Sequence, residues 1–360
     1  MPSAPWLSCA FVLVALAAAP GSFAASIEIT NLRTFATPFG DRVTQAALND
    51  HGDIAGTSFT SAIFDSQTGF IIPANGMPPV QIKNAAAQYT EVHGINNAGT
   101  VAGFYLGTDS LLHAFTYSAG TYTPVSAGPY TYLYGINNRG DLTGYYSNMG
   151  LTATGFLIQG GTTTTFALPG HPLDTFPLSI NDADQIVGYT EQSSFLRQSD
   201  GSFQILDFGA RGINNQGILV GSRGTGGGPN DAVFGIVSIG GTDYTFSYPG
   251  ATQTYLYGIN NANEVVGIYE DATFASHLFA GQLATPEPAT AYLCGGALLG
   301  LAVFMVHRTR RKSNGLWCER LEGERQGVVA RKEQSVNESM QSCGGAPGYE
   351  VFPEVEHIRE

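Results

Sequence analysis

Cysteine is missing from the central part of this sequence. The four cysteines, Cys9, Cys294, Cys318 and Cys343, all lie outside residues 25–285. Neither a disulfide nor a cysteine-ligated zinc site is therefore expected in that segment. Side-chain packing alone must stabilise its fold.

Charged residues are also scarce, at 12% of the 360-residue chain. Between Ala25 and Pro288 there are seven Lys and Arg against twenty Asp and Glu, and the formal net charge of the chain is −13. Nucleic-acid phosphates bind clustered Lys and Arg. The acidic composition therefore argues against a nucleic-acid partner.

Glycine, in contrast, is abundant with 46 residues, and a Gly-Ile-Asn-Asn-like motif recurs six times. The six copies begin at Ala47, Gly94, Gly135, Ser179, Gly212 and Gly258. Eight positions after its Ile or Leu, each copy has a glycine: Gly56, Gly103, Gly144, Gly188, Gly221 and Gly267. Repeat spacings of 33 to 47 residues are typical of propeller blades.

The third copy predicts how one repeat folds. Strands are expected at 132–136, 141–146, 154–158 and 163–168, with turns at Asn137 to Gly140 and at Gly160-Gly161. Asn and Gly suit such turns because they tolerate positive φ. We therefore predict an all-β fold over residues 25–285, a β-propeller of six four-stranded blades.

The last repeat has no fourth strand of its own. An unassigned strand at residues 27–35 precedes the first repeat, and we expect it to complete the last blade and close the ring. In each third strand a phenylalanine is expected to fill the contact between blades: Phe64, Phe115, Phe156, Phe195, Phe234 and Phe279. Burial of each ring would contribute roughly 1.5 to 3 kcal/mol.

The N-terminus predicts export. Residues 1–24 combine an apolar run with small residues before Ala24, as in a secretory signal peptide cleaved after Ala24. The segment before the apolar run lacks Lys and Arg, so an uncleaved anchor is the alternative.

Two resemblances follow from these motifs. Gly-Ile-Asn-Asn, Val-Val-Gly-Tyr-like segments and His113-Ala114-Phe115 resemble the extracellular HAF-type repeat proteins over residues 47–280. Residues 286–312 resemble a PEP-CTERM sorting signal. They consist of Pro286-Glu287-Pro288, an apolar run at 289–306 and the basic residues Arg308, Arg310, Arg311 and Lys312. The apolar run is long enough for one transmembrane helix.

The second resemblance implies a partner and a location. A PEP-CTERM signal implies cleavage near Pro286-Glu287-Pro288 by an exosortase, a membrane transpeptidase-like enzyme of bacteria that make exopolysaccharide. The basic cluster places the precursor in the inner membrane with its repeats on the periplasmic side, before transfer to the cell surface or beyond. Family members end shortly after the basic cluster, whereas here residues 313–360 continue as an expected disordered tail, either a read-through extension or a cytoplasmic module.

Several acidic and histidine residues recur in the repeats and could carry chemistry. Asp50, Asp53, Asp141, Asp182 and Asp184 lie at hairpin turns, where turn formation is expected and calcium binding is the alternative. His113 and His277 occupy equivalent positions and are expected to be structural. The sequence predicts no catalytic residues, no cofactor and no metal site.

Two functions of different class are compatible with this pattern. The first is a binding or structural component of the exopolysaccharide or biofilm matrix, in which an extracellular polysaccharide is the ligand. The alternative is a glycan-active enzyme on the propeller, which requires non-repeat acids such as Asp174 with Glu191, or Asp207 with Asp231, to meet in one funnel.

Overall fold

The structure is a computed structural model that describes residues 25–60, 66–148, 152–225 and 232–284. In these ranges all regular secondary structure is β-strand. Two strands, β1 (Ala25–Ser26) and β2 (Ile29–Phe35), precede the first repeat.

Four sheets of four antiparallel strands follow in chain order. Sheet I contains β3 (Arg42–Leu48), β4 (Ile54–Phe59), β5 (Thr68–Ile72) and β6 (Val80–Ile82). Sheet II contains β7 (Ala87–Ile95), β8 (Val101–Gly107), β9 (Leu112–Ser118) and β10 (Thr121–Val125). Sheet III contains β11 (Tyr130–Ile136), β12 (Leu142–Ser147), β13 (Thr154–Gln159) and β14 (Thr162–Phe166). Sheet IV contains β15 (Phe176–Ile180), β16 (Ile186–Tyr189), β17 (Ser194–Arg197) and β18 (Phe203–Leu206).

The remaining strands form one nine-stranded sheet. Its first antiparallel run, quartet V, is β19 (Gly209–Ile213), β20 (Leu219–Gly224), β21 (Val233–Ile239) and β22 (Thr242–Phe246). Its second run, quartet VI, is β23 (Gln253–Ile259), β24 (Glu264–Glu270) and β25 (Ser276–Leu283), followed by β2. The two quartets are joined by a single parallel pair, Val233 with Gln253, and β1 pairs in parallel with β22.

This is a β-propeller arrangement, in which sheets I to IV are four blades. Each is a meander whose strands pair with their neighbours in sequence, as the repeat pattern predicts. The first strand of every sheet and quartet lines a common central channel. The expected pairing of the N-terminal strand with the last repeat is present, since β2 pairs antiparallel with β25.

The apolar core lies between successive sheets. Phe115 packs with Ala55 and Ile82 of sheet I, and Phe156 packs with Ala102 and Phe104 of sheet II. Phe279 packs against Val237 and Phe246 of quartet V. These three phenylalanines and Phe195 are at most 1% exposed, so they have the predicted burial.

In two of the six repeats, the buried position of the third strand holds a residue other than the predicted phenylalanine. The buried position in each third strand pairs with the motif glycine, and it is occupied by Phe70 opposite Gly56 and by Ile236 opposite Gly221. Phe64 lies outside the described residues, and Phe234 is half-buried. In the first repeat the buried position comes later in the sequence, because eight residues, 60–67, connect β4 to β5, where four connect β8 to β9.

Several expectations concern other parts of the chain. Within the described ranges, no helix has the length and hydropathy needed to span a membrane. The predicted signal peptide at 1–24, the apolar run at 289–306 and the tail at 313–360 lie outside those ranges.

Candidate functional site

The first asparagines of the six motifs form a hydrogen-bonded ring at the central channel. Each side-chain amide donates to the backbone carbonyl of the equivalent asparagine in the next repeat. The nitrogen-to-oxygen distances are 3.1 Å from Asn49 to Asn96, 3.2 Å from Asn96 to Asn137, 3.2 Å from Asn137 to Asn181, 2.9 Å from Asn181 to Asn214, 3.2 Å from Asn214 to Asn260 and 3.0 Å from Asn260 to Asn49.

A second ring uses the next residue of each motif. Its backbone N–H donates to the side-chain oxygen of the equivalent residue in the following repeat, at 2.8 to 2.9 Å. The members are Asp50, Asn97, Asn138, Asp182, Asn215 and Asn261. The motif therefore joins neighbouring repeats, in addition to forming the turn that the sequence predicted.

The acids considered for calcium are used in these contacts. Asp50 accepts the amides of Asn97 and Asn261 at 2.7 and 2.9 Å, and Asp182 accepts those of Asn138 and Asn215 at 3.0 and 2.6 Å. Asp53 accepts the Asn49 amide, and Asp141 and Asp184 both bind the guanidinium of Arg139. Among the described residues, no group of three His, Cys, Asp or Glu is placed to hold a metal ion.

One position beside the rings differs between repeats. Five of the innermost strands contain a β-bulge three residues before the first asparagine, at His93, Tyr134, Leu178, Arg211 and Tyr257. In the first repeat the irregularity is at Thr44. This position was not among the predicted sites, although four residue types occupy it in these five strands while the motif beside it repeats.

Two of these positions, His93 and Tyr134, are in contact through their rings. The His93 ring lies 5.1 Å from Phe104 and 4.3 Å from Tyr134, between centroids. Its side chain is 3% exposed, with Nε2 at 3.1 Å from Glu91, and Nδ1 has no hydrogen-bond partner among the residues that the structure describes. Between sheets III and IV, the Tyr145 ring contacts Phe176, which stacks on Tyr189 with 4.9 Å between ring centroids.

A cavity of about 900 Å³ opens between sheet IV and quartet V. The connection after β16, the connection from β18 to β19 and the end of β20 form its walls. Strands β16, β17 and β18 have four residues each, and this repeat has the shortest spacing, 33 residues. The cavity thus lies where one repeat departs most from the others.

Aromatic, apolar and hydrogen-bonding side chains line the cavity. Tyr189 is 41% exposed and its ring stacks on Phe176. Ile205, 57% exposed, and the buried Phe208 supply apolar surface. Gln192, Ser193, Asp207, Arg211 and Arg223 supply polar groups. Such a mixture of one aromatic platform and a few polar groups is typical of small-ligand sites.

Of the four acids considered for catalysis, one lines the cavity within the described residues. Asp207 is at the cavity, where its carboxylate binds Arg223 at 2.6 Å, and its predicted partner Asp231 lies outside the described residues. Asp174 binds His171 at 3.1 Å, and neither it nor Glu191 lines this cavity. No two carboxylates therefore meet in the described lining of the cavity.

The two equivalent histidines make equivalent contacts. His113 binds Asp109 at 3.0 Å and stacks on Tyr105, and His277 binds Asp271 at 2.9 Å and stacks on Tyr269. Hydrogen bonds from Thr273 and His277 lower the pKa of Asp271 well below its usual range. The sorting-signal residues Pro286, Glu287, Pro288, Arg308, Arg310, Arg311 and Lys312 lie outside the described residues.

Comparison with known proteins finds distant structural likeness only. No protein-family model matches the chain, and no curated protein sequence matches it. TolB from Acinetobacter baumannii aligns with a TM-score of 0.44 and 11% identity, over 64% of this chain and 65% of that chain, which is less than two thirds of TolB. The β-propeller domain of the Trilobed protease from Pyrococcus furiosus aligns with a TM-score of 0.44 and 9% identity, over 69% and 94% of the two chains. A mutant of AofleA from Arthrobotrys oligospora aligns with a TM-score of 0.43 and 13% identity, over 72% and 88%.

Proposed function

We propose that the chain forms a closed ring of six blades, in which quartets V and VI of the nine-stranded sheet are the fifth and sixth blades. Each quartet has four antiparallel strands, and one residue pair joins them. Both asparagine rings have six members and return to their starting repeat. Contacts of Leu48 and Phe70 with Val266 and Leu278 also bury the seam between the first and last repeats.

We propose further that this propeller is exported and binds a saccharide of the exopolysaccharide or biofilm matrix. The observation that carries the binding function is the cavity between sheet IV and quartet V. Sugars present apolar C–H faces and a rim of hydroxyl groups, so they suit an aromatic platform flanked by polar side chains. Tyr189 is such a platform, with Gln192 and Ser193 beside it.

A glycan array tests the binding function. Full-length protein in detergent should bind saccharides, and Tyr189→Ala should weaken that binding about tenfold, since loss of a stacked ring removes roughly 1 to 2 kcal/mol. Phe274→Ala is the matched control, because Phe274 is 59% exposed and does not line the cavity. Equal binding by the two variants would contradict the assignment of the cavity.

Export and sorting are supported by the sequence of the two ends. The signal-like segment 1–24 and the PEP-CTERM-like segment 286–312 flank the repeats, which is the order expected of an exosortase substrate. In a host that lacks its exosortase, or after Ala replacement of Pro286, Glu287 and Pro288, the shorter extracellular form should disappear. An unchanged distribution between membrane and medium would refute sorting.

A further inference from the structure

We infer that the saccharide is acidic, and that its carboxylate binds the guanidinium of Arg211. This inference rests on the proposed saccharide function and adds the chemical class of the ligand. Arg211 is the bulged residue of β19, and it borders both the central channel and the cavity beside Tyr189.

The first observation is the pairing state of Arg211. Its guanidinium carbon lies 4.8 Å from the centre of the Tyr257 ring. Within the described part of the chain, it makes no hydrogen bond and no ion pair. Arg223, in the same cavity, is held by Asp207 at 2.6 Å and by Asp243 at 2.9 Å. Within the described residues, Arg211 therefore keeps all of its N–H donors for a ligand, whereas Arg223 already uses Nε and one terminal nitrogen.

The second observation is the burial of this group. Arg211 is half-buried among the innermost strands, where a cation without a counter-charge loses part of its hydration. The protein supplies twenty acids against seven basic residues between Ala25 and Pro288, yet none of the described acids pairs with Arg211. An anionic ligand would supply the missing counter-charge.

The third observation is the relation of Arg211 to Tyr189. Burial raises the pKa of Tyr189, and the nearby positive charge of Arg211 opposes that rise. Both side chains line the same cavity. A planar guanidinium binds a carboxylate through two parallel hydrogen bonds, while Tyr189 contacts the sugar ring. A uronic-acid residue carries both groups in one unit.

Calorimetry with three ligands tests this inference. The full-length protein should bind tetragalacturonate about tenfold or more tightly than its methyl ester, because a charged hydrogen bond is lost on esterification. Arg211→Gln should abolish that difference, and Arg211→Lys should restore part of it. Inorganic phosphate should bind much more weakly than tetragalacturonate, because phosphate lacks a ring for Tyr189.

Arg197→Gln is the matched control. Arg197 also lies 4.8 Å above an aromatic ring, that of Phe166, but it does not line the cavity. The Arg197→Gln variant should still bind tetragalacturonate more tightly than its methyl ester, although it removes one positive charge, as Arg211→Gln does. Thermal unfolding of each variant checks that it is folded.

The outcomes separate the inference from the function on which it rests. Equal binding of acid and ester, with weakening by Tyr189→Ala, would overturn the acidic class and leave saccharide binding intact. Binding of phosphate as tight as tetragalacturonate would also overturn it, by reducing the site to an anion site. Absence of binding to any of the saccharides on the array and to tetragalacturonate would overturn both proposals.

Discussion

The first asparagine of each motif has a donor and an acceptor on one short side chain, and both are used. In Asn137, Oδ1 accepts the N–H groups of Arg139 and Asp141 at 3.0 and 2.9 Å, while Nδ2 donates to Asn181 of the next repeat at 3.2 Å. Aspartate would lack the donor. The second motif position mainly needs an acceptor, which explains why Asp50 and Asp182 replace asparagine there.

Asn137→Ala should lower the free energy of unfolding by about 2 to 4 kcal/mol, since it leaves more than one buried backbone group without a partner. Asn75→Ala is the control, because the Asn75 side chain accepts one N–H, that of Met77, at an exposed turn. Urea denaturation of both variants measures the difference. Similar losses in the two variants would contradict the role of the asparagine ring.

The stability supplied by Asp50 should depend on pH. Burial raises its pKa, but hydrogen bonds from Asn97 and Asn261 outweigh burial and lower the pKa below the ordinary value. A lowered pKa in the folded state gives stability above the unfolded-state pKa of about 3.9, and this stability is lost as pH falls through the folded-state pKa.

Asp50→Asn should therefore be less stable than the wild type at pH 7, because its amide faces two other amide donors. The difference should shrink on acidification below pH ~4, because the carboxylate of the unfolded wild type is protonated there, whereas that of the folded protein is protonated only at lower pH. Urea denaturation at pH 7 and pH 3 measures both differences. A difference that stays constant with pH would show that the charge of Asp50 does not matter.

At the scale of the element, each hairpin of β-strands depends on the glycine that follows the motif. A Cβ placed on Gly144 would lie 2.0 Å from the carbonyl oxygen of Tyr132, in the strand before the bulge. A Cβ on Gly103 would likewise lie 2.0 Å from the carbonyl oxygen of Glu91, and a Cβ on Gly221 would lie 2.0 Å from that of Gly209. The strands approach too closely for any side chain, which explains the repeated glycine.

Gly144→Ala should destabilise the protein by about 3 kcal/mol or more, because backbone must move to relieve the overlap. Gly209→Ala provides the comparison, since Gly209 is also in a strand. A Cβ on Gly209 would lie 3.3 Å from its nearest neighbour, the carbonyl oxygen of Ser222. Thermal unfolding should show a large loss only for Gly144→Ala. Equal transition temperatures would mean that the hairpin adapts at no cost.

Strand positions in the third repeat could be predicted because turns and alternation are local. The predicted strands at 132–136 and 154–158 became β11 (Tyr130–Ile136) and β13 (Thr154–Gln159). The first repeat could not be aligned as well, since Phe64 and Phe70 are equally apolar. Only the pairing of Phe70 with Gly56 distinguishes the two.

At the scale of the whole molecule, strand β2 connects the start of the repeats to their end. Ile29 is 5% exposed and packs in one cluster with Val265 and Leu283. Arg33 in the same strand pairs with Glu264. Without this strand, β25 would expose an unpaired edge, a common cause of aggregation.

Ile29→Asp should lower the transition temperature and promote association, because it buries a charge where β2 pairs with β25. Thr34→Asp is the control, since Thr34 is exposed in the same strand. Calorimetry and sedimentation velocity measure the two effects. If Ile29→Asp stayed monomeric and as stable as Thr34→Asp, β2 would not be needed for closure.

The sequence by itself determined the all-β class, the number of motif copies, the strands of a typical repeat and the expected pairing of the N-terminal strand, because these follow from local turn chemistry and repetition. Only the tertiary structure decided that the motif asparagines bridge neighbouring repeats, that His93 and Arg211 occupy bulges at the channel, and that a cavity opens beside Tyr189. These features arise between repeats that are 33 to 47 residues apart in the chain. Spacing along the sequence does not fix which side chains face one another across such a gap.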